Sequence, residues 1–354
     1  MRSIRLRHPL WTLPVLAVVI VGCGGSEGPT QPAVPTTLVF SVQPTNAAGA
    51  QMISPAVQIA VQDASGNTVA AATDAVTVAF GTNPGSGTLS GTLTVAAIQG
   101  IATFSNLRID RPASGYTLAA NAAGLSGATS GPFTVTLTFA QVSAGSDNTC
   151  ALTAGGAAYC WGGNNTGQLG DGTTTNRSSP ALVARGVSFA QVSASGTHTC
   201  AVTAAGTAYC WGNNGGGQLG DGTTTNRSSP ALVAGGLSFA QVSAGGGGLD
   251  HTCGVTAAGA AYCWGGNFYG QLGDGTTTER FTPVRVAGGV SFTAVGAGRA
   301  HTCGVTAAGA AYCWGWNDYG QLGDGITTDH WTPALVAGGV SFTAVSPGYL
   351  HTCG

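Results

Sequence analysis

The chain has no lysine: all eleven basic residues among its 354 are arginine. Charged residues of both signs make up only 7%, against roughly 25% in an ordinary globular domain, and the formal net charge is -2. A surface this poor in charge releases few counterions from a phosphate backbone, so we expect no nucleic-acid partner. Cysteine is missing between positions 23 and 150, and no apolar run is long enough for a comfortable membrane span. Nor does any nucleophile fall beside a base that could activate it, so we expect a non-enzymatic protein with no cofactor. What is plentiful is glycine, 59 residues. So many glycines suit either disorder or a fold with many tight turns. Alternating apolar residues and regularly spaced aromatics decide for an all-β fold, with solubility left to Gly, Ser, Thr, Asn and Gln.

Arg2, Arg5 and Arg7 open the chain, ahead of an apolar run from Leu10 to Val21. That order is expected of a signal peptide at residues 1–22. The run ends in Ile20-Val21-Gly22-Cys23, which resembles a bacterial lipobox. The resemblance implies cleavage before Cys23 and lipid on its thiol and new amino group. Several acyl chains would anchor the chain durably, where one alone is marginal. The expected location is the bacterial cell envelope, at the outer membrane or cell surface. Residues 23–37, rich in Gly, Pro, Ser and Thr, read as a flexible tether.

Residues 38–136 carry no cysteine and alternate as strands do, as in Val57-Gln58-Ile59-Ala60-Val61-Gln62 before the turn Asp63-Ala64-Ser65-Gly66-Asn67. Further strands are expected at 76–80, 101–104, 116–120 and 133–136. Six or seven short strands in about a hundred residues predict a β-sandwich. The "DASGN" turn and "GIATFSNLRID" resemble the bacterial immunoglobulin-like domains of adhesins, which implies a spacer or an adhesive module.

From residue 137 onward the chain repeats itself. "FAQVSAG" at 139–145 returns unchanged at 239 and in altered form at 189, 292 and 342. Each copy leads to a cysteine at 150, 200, 253, 303 or 353, a period of 50 with one step of 53. The three extra residues fall within Gly245 to Asp250. Four short strand-like runs per unit predict blades of a β-propeller. "HTCAVTAAGTAYCWGNNGGGQLGDG" at 198–222 resembles the repeats of the regulator of chromosome condensation family, which implies a seven-bladed β-propeller. Four copies and the start of a fifth are present over 137–354, so the propeller is expected to be incomplete here, as in a fragment or a truncated reading frame.

The cysteines recur as Cys-x9-Cys rather than with the Cys-x2-Cys spacing of a zinc site. A hairpin symmetrical about Gly155 would set Cys150 and Cys160 opposite each other on adjacent strands, at ~4.5 Å between α-carbons and within disulfide reach. The expected pairs are Cys150–Cys160, Cys200–Cys210, Cys253–Cys263 and Cys303–Cys313, with Cys353 unpaired. His198, His251, His301 and His351 occur once per repeat, with Asn148 in the first. They are expected to pack or to hydrogen-bond, well separated around the ring. Asp171, Asp221, Asp274 and Asp324 sit in Gly-Asp-Gly turns. Turn capping is expected of them, because these loops lack the alternating Asp/Asn of a calcium loop; no metal is expected.

The copies differ mainly after Trp-Gly and after Asp-Gly. Gly, Asn and Thr in the first two give way to Phe268 and Tyr269 in the third, with Arg280 and Phe281 in its later loop. The fourth has Trp316, Asp318, Tyr319, His330 and Trp331. Loops on a rigid scaffold are where binding residues sit, and Tyr, Trp and Arg are the usual hot-spot types. These side chains either form a binding rim or pack within their own blades. The function expected is a membrane-anchored binding or adhesion scaffold whose propeller loops take a protein or glycan. A secreted enzyme inhibitor, as in a similar β-lactamase-inhibiting propeller, is the alternative. Guanine-nucleotide exchange, the activity of the family's best-known nuclear member, fits an exported, charge-poor chain less well.

Overall fold

A computed structural model describes residues 33–354, so the signal peptide and Cys23 lie outside the described residues. Two architectures follow in sequence. The first spans residues 37–136 and stacks two sheets over one core. Strands Thr37–Val42, Val57–Gln62 and Ile101–Phe104 form one sheet. Ala75–Thr82, Ala113–Asn121 and Phe133–Thr136 are the main strands of the other. Period-two alternation places Leu38, Ile59 and Phe104 of the first sheet against Val78, Tyr116 and Leu118 of the second. The turn after Gln62 forms as its residues dictate: Asp63 accepts hydrogen bonds from the backbone N–H of Ser65 and Asn67, both at 2.9 Å.

The second architecture is four antiparallel, four-stranded meanders, which we call blades one to four. Blade one runs through Phe139–Ala144, Asn148–Thr153, Ala158–Gly162 and Arg177–Leu182. Blades two, three and four repeat it at 191–232, 239–285 and 294–335. A two-stranded pair, Ser346–Pro347 with Thr352–Cys353, follows them. Each second-to-third strand hairpin turns on a glycine in the left-handed region, Gly156 at φ +80° in blade one, where a side chain would be strained. That turn sets Cys150 directly opposite Cys160. All four expected pairs are bonded, with α-carbons 4.1 Å apart, and Cys353 is free. Each bond closes a loop of eleven residues, an entropic stabilisation of about 3 kcal/mol. Four such bonds point to an oxidising, extracytoplasmic environment. Among the described residues no helix is long and apolar enough to cross a membrane.

Proline stands at the same place in every outer strand, at Pro180, Pro230, Pro283 and Pro333. With no N–H to offer, it blunts the edge that would otherwise template pairing with another chain. Apolar residues of consecutive blades interlock. Leu152, Leu169 and Val183 of blade one close on Phe189, Val192 and Trp211 of blade two, and the pattern recurs. Blade one instead meets the two-sheet domain: Tyr159 donates to the Asp110 carbonyl at 3.0 Å and is fully buried, whereas Tyr209, Tyr262 and Tyr312 are half-buried.

Candidate functional site

The loop between the third and fourth strands of each blade is built by three side chains. In blade one Asn164 is fully buried; its Nδ2 donates to the carbonyls of Thr173 and Thr175, and its Oδ1 accepts from Leu169 N. Asp171 caps the turn, accepting from Thr173 N at 3.0 Å and Thr173 Oγ1 at 2.7 Å. Its other oxygen takes both Nε and Nη2 of Arg177 at 2.7 Å, two charge-assisted contacts converging on one acceptor. Burial pushes this carboxyl up, but the hydrogen bonds from Thr173 and Arg177 outweigh it and hold it below the usual range. Asp221 with Arg227 and Asp274 with Arg280 repeat the clamp, and in blade four His330 Nε2 takes the place of the guanidinium on Asp324 at 2.7 Å. Turn capping is thus joined by an ion pair that nothing in the spacing of these residues foretells.

This loop also carries the joint between blades. The Gln168 carbonyl accepts from Trp211 Nε1 at 3.0 Å and from Thr199 Oγ1 at 2.9 Å, both on blade two. Gln218 and Gln271 do the same for Trp264 and Thr252 and for Trp314 and Thr302. Gly170 must be glycine because a Cβ there would stand 2.6 Å from the Trp211 Nε1. Trp211, Trp264 and Trp314 therefore pack between blades, all fully buried. Trp161, with no blade before it, is half-buried and keeps only the contact with the phenylalanine of its own blade, Phe139, that the other tryptophans also make.

The histidines pack as expected, but closer together than a ring of isolated positions. His198, His251 and His301 are fully buried, and each Nε2 meets a threonine of the next blade, Thr252, Thr302 or Thr352, at 2.9, 2.8 and 3.0 Å. Those threonines donate their single proton to a glutamine carbonyl, so they accept from Nε2–H, and Nδ1 is left as an acceptor. Ser195 Oγ lies 2.9 Å from His198 Nδ1, whereas Nδ1 of His251 and of His301 finds no partner among the described residues. Burial, with the neighbouring charges of His301 and then His198, drives His251 down to about 3. Burial likewise lowers His301 to about 4.

Above this joint the variable positions form one rim. Phe268, Tyr319 and Trp331 are 64%, 65% and 51% exposed, and Phe281 is 41% exposed. Trp316 is half-buried between Tyr269 and Tyr319, ring centroids 5.5 and 5.4 Å away. Trp331 packs over Gly270, the residue after Tyr269, while Phe281 lies one blade back against Gly217. The structure therefore brings Phe268, Tyr269, Trp316, Tyr319 and Trp331 together and sets Phe281 at their margin; Asp318 is exposed among them. Arg280 and His330 lie beneath, committed to Asp274 and Asp324.

Two further rim residues are not marked by the pattern of the repeats. Arg299, from the turn between the first two strands of blade four, sets its guanidinium 5.5 Å from the Trp316 ring and 4.2 Å from that of Tyr349. A signal for them exists, since Arg299 and Tyr349 stand where other copies have Gly196 or Gly246, but those turns differ in length and hide the match. The turns surround an axial cavity of about 300 Å³, lined by Ser146, Gly196, Gly247, Arg299 and Tyr349 among others.

Latched blades with exchangeable loops on one face define a β-propeller, a protein-interaction scaffold. The chain belongs to the regulator of chromosome condensation (RCC1) repeat family, whose repeat matches residues 155–202, 205–254, 258–305 and 308–354. Among solved structures it is similar to human WBSCR16, at 21% identity and a TM-score of 0.56 over 91% of this chain and 89% of that one. It is also similar to yeast RCC1 (Prp20) bound to Kap60, at 20% identity, a TM-score of 0.54, and 63% and 55% coverage. Saccharomyces cerevisiae Prp20p, described with its binding to Gsp1p and histones, matches at 19% identity, a TM-score of 0.53, and 67% and 63% coverage. The chain thus spans 55% and 63% of the lengths of the two yeast proteins, and identities this low speak for the fold alone.

Proposed function

We propose that this protein is a non-enzymatic scaffold, exported and lipid-anchored at the cell envelope, that holds a protein partner on the loop face of blades three and four. The observation that carries the reading is the rim itself. Latching and clamping side chains barely change from blade to blade, while the exposed loop positions turn from Gly, Asn, Thr and Ser into Phe, Tyr and Trp in two adjacent blades only. Contiguous exposed aromatics backed by an arginine have the composition of an interface hot spot. A photo-crosslinking residue at Tyr319 is expected to capture envelope protein, while the same residue at Ser178, the blade-one counterpart of Trp331, captures none. Equal capture at both positions sinks the reading.

Anchoring rests on the arginine-rich start, the short apolar run and the lipobox-like Ile20-Val21-Gly22-Cys23, in accord with the oxidising environment that the disulfides imply. Cells fed a tagged fatty acid are expected to label the protein, and Cys23→Ala to abolish the label; label retained on the alanine variant rules the anchor out. Residues 38–136 then serve as an immunoglobulin-like spacer. Supporting that is the buried Tyr116, whose hydroxyl donates to the Arg111 carbonyl at 2.8 Å, the arrangement of a tyrosine corner. If the partner is an enzyme, the scaffold acts as its inhibitor.

A further inference from the structure

The rim is acidic as well as aromatic. The position that holds Asn176 and Asn226 in blades one and two holds Glu279 and Asp329 in blades three and four, and Asp318 stands where blade one has Asn165. The three arginine–aspartate ion pairs among the described residues, and the His330 contact with Asp324, all lie beneath the rim, at Asp171, Asp221, Asp274 and Asp324. Glu279, Asp318 and Asp329 therefore present negative charge with no cation paired to it. Asp329 accepts a hydrogen bond from Asn317 N at 2.8 Å, the same bond that Asn176 and Asn226 accept in their blades. In those three blades the turn uses an oxygen there but does not require its charge.

We infer that the occupant of this rim is a basic protein segment bearing arginine. The inference rests on the reading of this face as the recognition surface and names the chemistry of its partner. Two independent features converge. In the two loops that carry the aromatics, Glu279, Asp318 and Asp329 are unpaired carboxylates where blade one has asparagine or no charge, the exposed Asp147 of blade one lying in a different turn, so in these loops the charge appears where the aromatics do. The rings already receive a guanidinium: Arg299 lies over Trp316 and Tyr349 at 5.5 and 4.2 Å. Planar, weakly hydrated guanidinium stacks on an aromatic face while its N–H groups fork to a carboxylate, and the exposed Tyr319, Phe268 and Trp331 offer further faces beside Asp318 and Asp329. Burial, with the adjacent charge of Asp318, holds the Asp329 carboxyl above its usual range despite the hydrogen bond from Asn317. A bound cation would relieve that repulsion.

The test uses the purified full chain and fluorescent peptides of glycine alternating with arginine, lysine, serine or glutamate, followed by anisotropy at low and high salt. The arginine peptide is expected to bind about tenfold more tightly than the serine peptide, and to weaken in salt. Asp318→Asn with Asp329→Asn should remove most of that difference while leaving the melting temperature unchanged, because asparagine stands at both places in blade one. Equal binding of the serine or glutamate peptide, or arginine affinity unaltered by the double substitution, overturns the inference. Phe268→Asn, which restores the blade-one residue Asn165 and leaves position 319 free for the crosslinker, separates this failure from that of the recognition face. If it abolishes capture of the crosslinked envelope partner while the carboxylate variant does not, the face stands and its partner is not basic. If it alters neither capture nor peptide binding, the face falls as well.

Discussion

Lowering the pH from neutrality to about 4 is expected to cost this protein more stability than any single substitution. The cause is the column of buried imidazoles at the blade joints. Each is held neutral in the folded state with its pKa depressed, His251 to about 3 and His301 to about 4, against about 6.5 in the unfolded chain. A depressed pKa means that protonation favours unfolding. The stabilisation is therefore complete above about pH 6.5 and is lost as pH falls toward the folded values, at about 1.4 kcal/mol per pH unit for each histidine. Burial lowers His198 too, partly offset by the nearby Asp250. The clamped carboxylates of Asp171, Asp221 and Asp274 are also depressed, but their contribution fades only below about pH 4, so the two windows separate. Urea midpoints measured across this range should fall steadily. His251→Asn installs the residue that blade one carries as Asn148, and it should flatten the slope by about one proton's worth. An unchanged slope in that variant would show that the acid sensitivity lies elsewhere.

Trp264→Ala is expected to cost about 3–5 kcal/mol, and Trp211→Ala and Trp314→Ala about as much. Each replacement removes a fully buried indole, its stacking on Phe239 or its counterpart, and the hydrogen bond to the preceding blade's glutamine carbonyl. The comparison that gives the prediction its force is Trp161→Ala. Trp161 occupies the same place in its repeat but is half-buried and has no blade before it, so its loss should cost roughly 1 kcal/mol. Chemical denaturation of the two variants decides between causes. If Trp161→Ala is as damaging as Trp264→Ala, the tryptophans act within their own blades and the latch is not what holds the array together.

The disulfides are legible in the amino-acid sequence, because a pattern symmetrical about Gly155 fixes which residues face each other across a two-stranded turn, and that is a local property. The strands are legible for the same reason: alternation of period two reports which side of a sheet is buried, as in Val57 to Gln62. Differences among the copies within the chain also pick out the exposed aromatics, since positions free of the latch and the clamp are the ones that can vary. His330 shows where such differences stop being informative. It stands among the variable residues, in the place of Arg177, Arg227 and Arg280, yet Asp324 accepts a hydrogen bond from it as the other aspartates do from arginine, so variation there carries no message about binding.

The latch is hidden from the sequence because its acceptor is a main-chain carbonyl, an atom every residue has and no sequence can mark. Trp161 and Trp264 are identical in their local sequence, and only the presence of a preceding blade separates them. Arg299 and Tyr349 join the rim from turns of unequal length, so their meeting with Trp316 depends on how neighbouring blades are packed. By itself the sequence determined the strands, the hairpins and the cysteine pairs, which depend on contacts a few residues apart. The tertiary structure alone decided which identical residues are buried, which imidazoles are kept neutral and which loops share one face, because those depend on what the next blade places against them.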